Sequence, residues 1–244
     1  MMKRFQILSN LSMCLLVALL LSTCSDEDST VRTLTLNFKA QIDGELVEFE
    51  ARKYQSPAHQ SVSFDRLKVY ISNIELVDVE AGEVFTEVDS YHLLSFDADT
   101  DSAFFEIRNI PQTFNVDEIR FGVGVDEEAN ASIDHVGDLD PTNSMAWDWN
   151  TGYKFLLLEG RYYPSGDDLG EEIKMHIGTN ANYANNLIGF QESISVEENP
   201  THTLYVNALV PFGTIDLSEG TVFMNDERGN EVARNYMDGF ISTF

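Results

Sequence analysis

Cysteine is scarce in this chain, and both copies, Cys14 and Cys24, lie close to the amino terminus. Processing at Cys24 leaves a mature chain with no other thiol. That scarcity excludes a disulfide-stapled scaffold, a thiol enzyme and a metal site with cysteine ligands. The mature protein must therefore rely on a hydrophobic core, which about 220 residues are enough to build.

No hydrophobic run is long enough to span a bilayer as a helix, which takes about 20 apolar residues. The longest run, residues 11–21, follows Lys3 and Arg4, and this order is typical of a secretory signal. The run ends in Leu-Ser-Thr-Cys at Cys24, which resembles the bacterial lipobox, although Thr23 departs from the usual small residue. The alternative is an ordinary cleaved signal with an incidental cysteine.

We interpret residues 1–23 as a signal peptide, Cys24 as a lipidation site, residues 24–32 as a tether and residues 33–244 as one domain. Ser-Asp-Glu-Asp after the cysteine is acidic and polar, as expected of an unfolded tether. It also resembles a surface-export signal of Bacteroidetes. The predicted location is the cell envelope, with a lipid anchor in the outer membrane, on its periplasmic face or at the cell surface.

Basic residues are few: the chain has 15 Lys and Arg against 41 Asp and Glu. Lys3 and Arg4 leave with the signal, so 13 cations remain against 41 acids and the formal charge becomes −28. Such a surface repels nucleic acid, keeps the protein soluble and favours cationic partners or metal ions. We therefore predict no nucleic-acid partner and a membrane contact only through the lipid.

Helical apolar stripes are also absent, apart from a short helix predicted within residues 230–240. Short alternating runs replace them, beginning with residues 34–42, and the Asp43-Gly44 pair predicts a hairpin. A phase slip at Ser72 and Asn73 predicts a bulge. The fold predicted is all-β, a single β-sandwich-like domain of antiparallel strands with one long functional loop.

Two glycines, Gly122 and Gly124, share one face of a predicted strand, which indicates close approach by another part of the chain. The long loop at residues 126–152 follows, and a loop of this length is usually functional or disordered. It contains the only tryptophans, Trp147 and Trp149, which argue for order. Sequence signatures of phosphate loops, serine hydrolases, zinc proteases and dinucleotide enzymes are missing, so we predict a binding protein rather than an enzyme.

Three stretches together carry a resemblance to a known family. They are residues 64–74, FDRLKVYISNI; residues 121–141, which begin FGVGVD and end GDLDP; and residues 145–155, MAWDWNTGYKF. With Glu159-Gly160 and His176-Ile177-Gly178, they resemble the MbnP-like copper-binding family. The resemblance covers nearly all of the chain from about residue 34 onward.

The resemblance implies a β-rich envelope protein that handles copper and has a dihaem cytochrome c peroxidase-like partner. In the best-known members that partner oxidises a tryptophan to kynurenine beside a copper site built from histidine. Trp149 is the better candidate for this tryptophan by its spacing from the loop asparagine, and Trp147 is the second candidate. The alternative for either indole is packing in the core.

The copper ligands that the resemblance implies are only partly present. Ser72 and Ala131 stand where the family has histidine, whereas His176 is kept. His135 and His92 are candidate replacements, because imidazole suits copper. Each histidine also has an ordinary interpretation as a hydrogen-bonded strand or loop residue.

Oxygen ligands in the long loop predict a second kind of site. Asp126, Asn130, Asp138 and Asp140 are candidates for Ca²⁺, which prefers oxygen, although their spacing is not that of an EF-hand. The alternative function is a surface interaction or adhesion-type β-sandwich module with no metal, which fits the acidic surface and the missing histidines.

Overall fold

Strands make up most of the chain, which a computed structural model describes over residues 31–147, 152–165, 167–237 and 239–243. Its strands and helices, in chain order, are β1 (Val31–Ile42), β2 (Glu45–Leu46), β3 (Tyr54–Gln55), β4 (Ser61–Asp78), β5 (Glu83–Thr86), β6 (Tyr91–Asp97), β7 (Ser102–Pro111), β8 (Asn115–Val123), α1 (Glu127–Asn130), β9 (Lys154–Tyr163), β10 (Glu171–Gly178), β11 (Ala184–Ser195), β12 (Thr201–Asn207), β13 (Val222–Phe223), α2 (Glu227–Asn235) and β14 (Ile241–Ser242). β1 starts two residues before the predicted domain boundary at residue 33. In this described part, neither helix has the length and apolarity needed to cross a membrane.

β1 has the alternation of a strand with one buried face. Its buried side chains are Leu34, Leu36, Phe38, Ala40 and Ile42. Ile42 then pairs with Glu45 across a two-residue turn, in which Asp43 and Gly44 have φ values of 51° and 84°. Positive φ at both positions is what a tight hairpin turn requires, so the predicted hairpin is confirmed.

The strands form two mixed sheets. One has the order β14-β12-β1-β2, with β7 also paired to β1. The other has the order β11-β8-β4-β9-β10-β13, and β3, β5 and β6 also pair with β4. The all-β, sandwich-like prediction is confirmed, but β1–β12 and β10–β13 are parallel and not antiparallel as predicted. Both parallel pairs join strands that are distant in the chain, where no tight hairpin fixes the direction.

The main core lies between the two sheets. Phe38 of β1, Val69 of β4 and Leu158 of β9 belong to one continuous cluster of buried side chains, in which Phe38 also stacks on Phe105 of β7 at 5.3 Å. Each fully buried side chain of this size contributes about 1.5–3 kcal/mol relative to exposure. This core is the main source of stability in a body that has no disulfide.

The larger sheet is buried on its opposite face as well. Neighbouring residues of a strand point to opposite faces, so Val69 and Leu156 enter the main core while Tyr70 and Leu157 enter a second one. This second core comprises Tyr70, Val125, Ala129, Leu139, Met145, Tyr153, Phe155 and Leu157. Several of these residues belong to the long loop, which therefore covers the sheet as a third layer.

Candidate functional site

An irregularity in β4 points a polar side chain toward the long loop. The register of β4 against β8 shifts between Ser72 and Glu75, and Asn73 has a φ of 53°. Asparagine tolerates this left-handed conformation better than most residues. The predicted bulge is confirmed, and it brings the Asn73 amide within 3.1 Å of Asp126, where the loop begins.

Asp126 fastens the start of the loop to the sheet. One carboxylate oxygen accepts the backbone N–H groups of Glu128 and Ala129 and so caps α1. The other oxygen accepts the Tyr91 hydroxyl at 2.6 Å and the Asn73 amide. Burial opposes ionisation, but these hydrogen bonds outweigh it and lower the pKa of Asp126. The ionised carboxylate therefore holds α1 against β4 and β6.

The Tyr183 phenol lies over the bare backbone of Gly122. A Cβ at Gly122 would overlap the Tyr183 hydroxyl, so this position needs glycine. The hydroxyl lies 2.9 Å from the Asn73 amide nitrogen and 3.3 Å from the hydroxyl of Ser72, which is fully buried. The predicted close approach at Gly122 is confirmed, and Tyr183 joins the group around the bulge.

Two tyrosines hold the middle of the loop. The Tyr70 hydroxyl donates to the carbonyl of Asp138 at 2.8 Å, and the Tyr153 hydroxyl donates to the carbonyl of Leu139 at 2.7 Å. Their rings meet edge to face at 5.8 Å. Burial, aided by the charge of Asp140, raises the pKa of Tyr153 to about 12, and burial also raises the pKa of Tyr70. Both phenols therefore stay protonated and act as donors.

Trp147 is packed into this layer and is only 5% exposed. Its indole Nε1 donates to the Tyr153 carbonyl at 3.0 Å, and its backbone N–H donates to the Gly152 carbonyl at 3.1 Å. The ring rests on Gly178, where a Cβ would lie 2.9 Å from the indole nitrogen. The Lys154 ammonium lies 5.5 Å from the ring centre, within cation–π range. For Trp147, the packing interpretation fits.

Asn130 joins the two ends of the loop. Its side-chain oxygen accepts the backbone N–H of Tyr153 at 2.8 Å, and its amide donates to the side-chain oxygen of Asn180 at 2.7 Å. Gly152 has a φ of 105°, and a Cβ there would lie 2.6 Å from the Asn130 oxygen. Asn130 is therefore a clamp between α1, the start of β9 and the turn after β10.

His176 lies on the outer face of the larger sheet, next to an ion pair between Glu159 and Arg66. Its Nε2 is 2.7 Å from one oxygen of Glu159, whose other oxygen is 2.8 Å from Nε of Arg66. Burial lowers the pKa of His176 and outweighs the opposing effect of Glu159, while Lys154 and Lys174 lower it further. The imidazole is therefore neutral at pH 7, and both oxygens of its carboxylate partner are taken.

The other two candidate histidines have partners of their own. His92 Nε2 lies 2.8 Å from Glu87, and its ring stacks on Phe105 with centroids 3.7 Å apart. His135 Nε2 lies 3.1 Å from the Ala129 carbonyl. Across the described residues, no three His, Cys, Asp or Glu side chains gather into a group that could hold a metal ion. The structure therefore does not assemble the three predicted histidines.

The predicted calcium ligands serve as caps and turn formers. Asp138 accepts the Leu93 N–H at 2.7 Å, which ties the loop to β6. Asp140 accepts the N–H and the hydroxyl of Thr142 at 2.8 and 2.7 Å, and these bonds lower the pKa of Asp140. Within the described part of the chain, Asp126, Asp138 and Asp140 form no three-carboxylate cage. The calcium site stays a prediction.

Two predicted residues, Trp149 and Cys24, lie outside the described residues. Two others that matter, Tyr183 and Glu159, were not predicted as site residues. The bare face of Gly122 indicated that something approaches it but not which residue. Glu159 entered the sequence analysis only as part of the family resemblance, and nothing in the sequence predicted that it pairs with His176.

Comparison with known proteins agrees with this architecture. The sequence profile of the MbnP family matches residues 31–227. The structure is similar to that of MbnP from Methylosinus trichosporium, with a TM-score of 0.56 and 15% identity over 82% of each chain. A search of curated proteins gave no match. The protein is thus a β-sandwich whose outer face is covered by a long loop. The chain belongs to the MbnP family, which is associated with copper.

Proposed function

We propose that this protein is an MbnP-family binding protein of the cell envelope whose tryptophan loop is oxidised by a dihaem peroxidase-like partner. The observation that carries the proposal is the ordered loop layer. Asp126 fastens its start to the sheet, and Asn130 joins α1 to Tyr153 at the end of the loop and to Asn180. A loop held this way keeps Trp147 and Gly152, the described residues that flank residues 148–151, at fixed places against the sheet. No catalytic group is assigned to the chain itself.

Trp149 is the proposed site of oxidation. Trp147 is buried, rests on Gly178 and donates its indole N–H to Tyr153. A partner protein cannot reach a side chain in this position without opening the loop. Of the two tryptophans in the sequence, Trp149 therefore remains the candidate, as its spacing from the loop asparagine also predicts.

Copper is the metal that the resemblance implies, and the described histidines do not fit it. Lys68 of β4 and His176 of β10 are both paired with Leu157 of β9. Ser72 lies four residues further along β4, and β4 and β10 are two strand spacings apart. With a rise of about 3.3 Å per residue and a spacing of about 4.8 Å, the backbones of Ser72 and His176 are about 16 Å apart. Imidazoles at these two positions cannot share one ion, and we assign no copper step to His176.

Mass spectrometry tests the proposal. The mature protein is expressed with and without a dihaem cytochrome c peroxidase-like enzyme, and intact mass and peptide maps are compared. We expect a partner-dependent mass change that maps to Trp149 and is lost in Trp149→Phe but kept in Trp147→Phe. An unchanged mass in the presence of active enzyme overturns the proposal.

The envelope location is proposed to depend on a lipid at Cys24. The support is the signal segment, the lipobox-like Leu-Ser-Thr-Cys and the acidic tether. We expect labelled palmitate to enter the wild type and not Cys24→Ser, and the variant to move from the membrane to the soluble fraction. Equal labelling of both proteins rules the anchor out.

The second candidate function is a surface interaction module with no metal. It is favoured by the environment of His176, whose ring is paired to Glu159 among Arg66, Lys154 and Lys174. Burial of this imidazole disfavours an added positive charge such as a metal ion, and both oxygens of its carboxylate partner are already taken. An unmodified Trp149 together with no retained copper selects this function.

A further inference from the structure

We infer that the Tyr183 phenol fills the space beside Ser72, the position at which the resemblance expects a copper histidine. A chain of hydrogen bonds, in place of a metal ion, fastens the long loop there. This inference concerns the chain alone and does not depend on a haem partner. It goes beyond the proposed function because it states how the missing ligands are replaced.

The first observation is that space at Ser72 is filled. Ser72 is fully buried, and its hydroxyl lies 3.3 Å from that of Tyr183. The phenol reaches this depth because Gly122 on β8, which is paired with Ser72, has no side chain. The Phe155 ring packs edge to face against Tyr183, with ring centroids 6.5 Å apart. An ion at this position would have to displace the phenol.

The second observation is the chemistry of the donors. Serine and tyrosine hydroxyls replace the imidazole that suits copper, and the Asn73 amide donates at 2.9 Å to the Tyr183 oxygen. That oxygen is therefore occupied as an acceptor. The group around Ser72 is satisfied by its own members and offers no vacant imidazole.

The third observation is that the same residues hold the long loop against the sheet. From Tyr183 the chain of hydrogen bonds passes through Asn73 to the carboxylate of Asp126, which also accepts from Tyr91. Asp126 caps α1, and Ala131 is the residue that ends that helix. Both positions that lack the expected histidine are thus next to the hydrogen bonds that hold α1 to β4.

Variants that restore the two histidines test the inference. Ser72→His/Ala131→His is prepared with Tyr183, with Tyr183→Phe and with Tyr183→Ala, and each purified protein is incubated with Cu(II) or Cu(I) and passed through a desalting column. Copper per chain is measured by elemental mass spectrometry, and Cu(II) is examined by electron paramagnetic resonance. Thermal melting confirms that each variant folds.

We expect background copper in the wild type and in the double variant that keeps Tyr183. Tyr183→Phe is the matched control, because it removes the hydroxyl but keeps the ring over Gly122, and we expect it to remain at background. Tyr183→Ala empties the position, and copper should rise to stoichiometric with nitrogen hyperfine splitting. Stoichiometric copper in the double variant with Tyr183 intact, or background copper in the folded Tyr183→Ala variant, overturns the inference.

Discussion

At the scale of single residues, glycines decide what approaches the outer face of the larger sheet. Gly122 admits the Tyr183 phenol, Gly124 admits the ring of Phe155, and Gly178 admits Trp147. An alanine at any of these positions would place a Cβ where a neighbouring atom already lies. The loop layer therefore depends on missing side chains in the strands as much as on the aromatic side chains of the layer itself.

Asp126 is the residue whose charge has the clearest consequence for stability. Asp126→Asn keeps an oxygen for the helix cap but cannot accept from both Tyr91 and Asn73. We expect it to lower the free energy of unfolding at pH 7 by about 1–3 kcal/mol, the usual cost of leaving such donors unpaired. Because folding lowers the pKa of this carboxyl, its stabilising effect is present above the ordinary pKa of about 3.9 and is lost as the pH falls toward the folded value.

Urea unfolding of wild type and Asp126→Asn between pH 7 and pH 3 measures this difference. The gap should be constant down to about pH 4 and should shrink below it. Asp140→Asn is a matched control, since among the described residues that carboxylate accepts from Thr142 of its own turn, and a smaller effect is expected. A gap for Asp126→Asn that does not change with pH contradicts the role given to its charge.

At the scale of elements, local sequence patterns predicted the strands well but did not predict which strands pair with each other. The alternation of β1, the Asp43-Gly44 turn and the bulge at Asn73 are local features of sequence, and each is confirmed. The parallel pairing of β1 with β12 joins residues more than 150 positions apart, and no turn signal encodes it. The short helix was predicted within residues 230–240, whereas α2 spans Glu227–Asn235 and starts at an aspartate cap.

In the loop layer, too, the sequence predicted local features better than the contacts between distant residues. Two tryptophans predicted order in residues 126–152, and the described part of that stretch indeed packs as a second core. Its aspartates were predicted as calcium ligands, and the structure shows them as caps and turn formers, because aspartate and asparagine suit a metal and a helix end equally well. Only the positions of Tyr91 and the neighbouring N–H groups show that Asp126 is already satisfied.

At the scale of the whole molecule, the acidic surface is not uniform. The chain has a formal charge of −26, yet β4, β9 and β10 carry a group of cations, namely Arg66, Lys68, Lys154, Arg161 and Lys174. Composition alone favoured cationic partners or metal ions without indicating where they would bind. The one histidine of these three strands, His176, lies against Glu159, a carboxylate already paired with Arg66. The tryptophan loop rather than a histidine cluster is therefore the centre of the proposed function.

The most direct measurement is the rate of electron transfer from the tryptophan loop to the dihaem partner enzyme. The peroxide-oxidised dihaem enzyme is mixed with mature protein in a stopped-flow instrument, and the haem absorbance reports reduction. Wild type and Trp147→Phe should speed the decay of the oxidised haem, whereas Trp149→Phe should leave it at the rate without substrate protein. Reduction by Trp149→Phe as fast as by wild type would contradict the account.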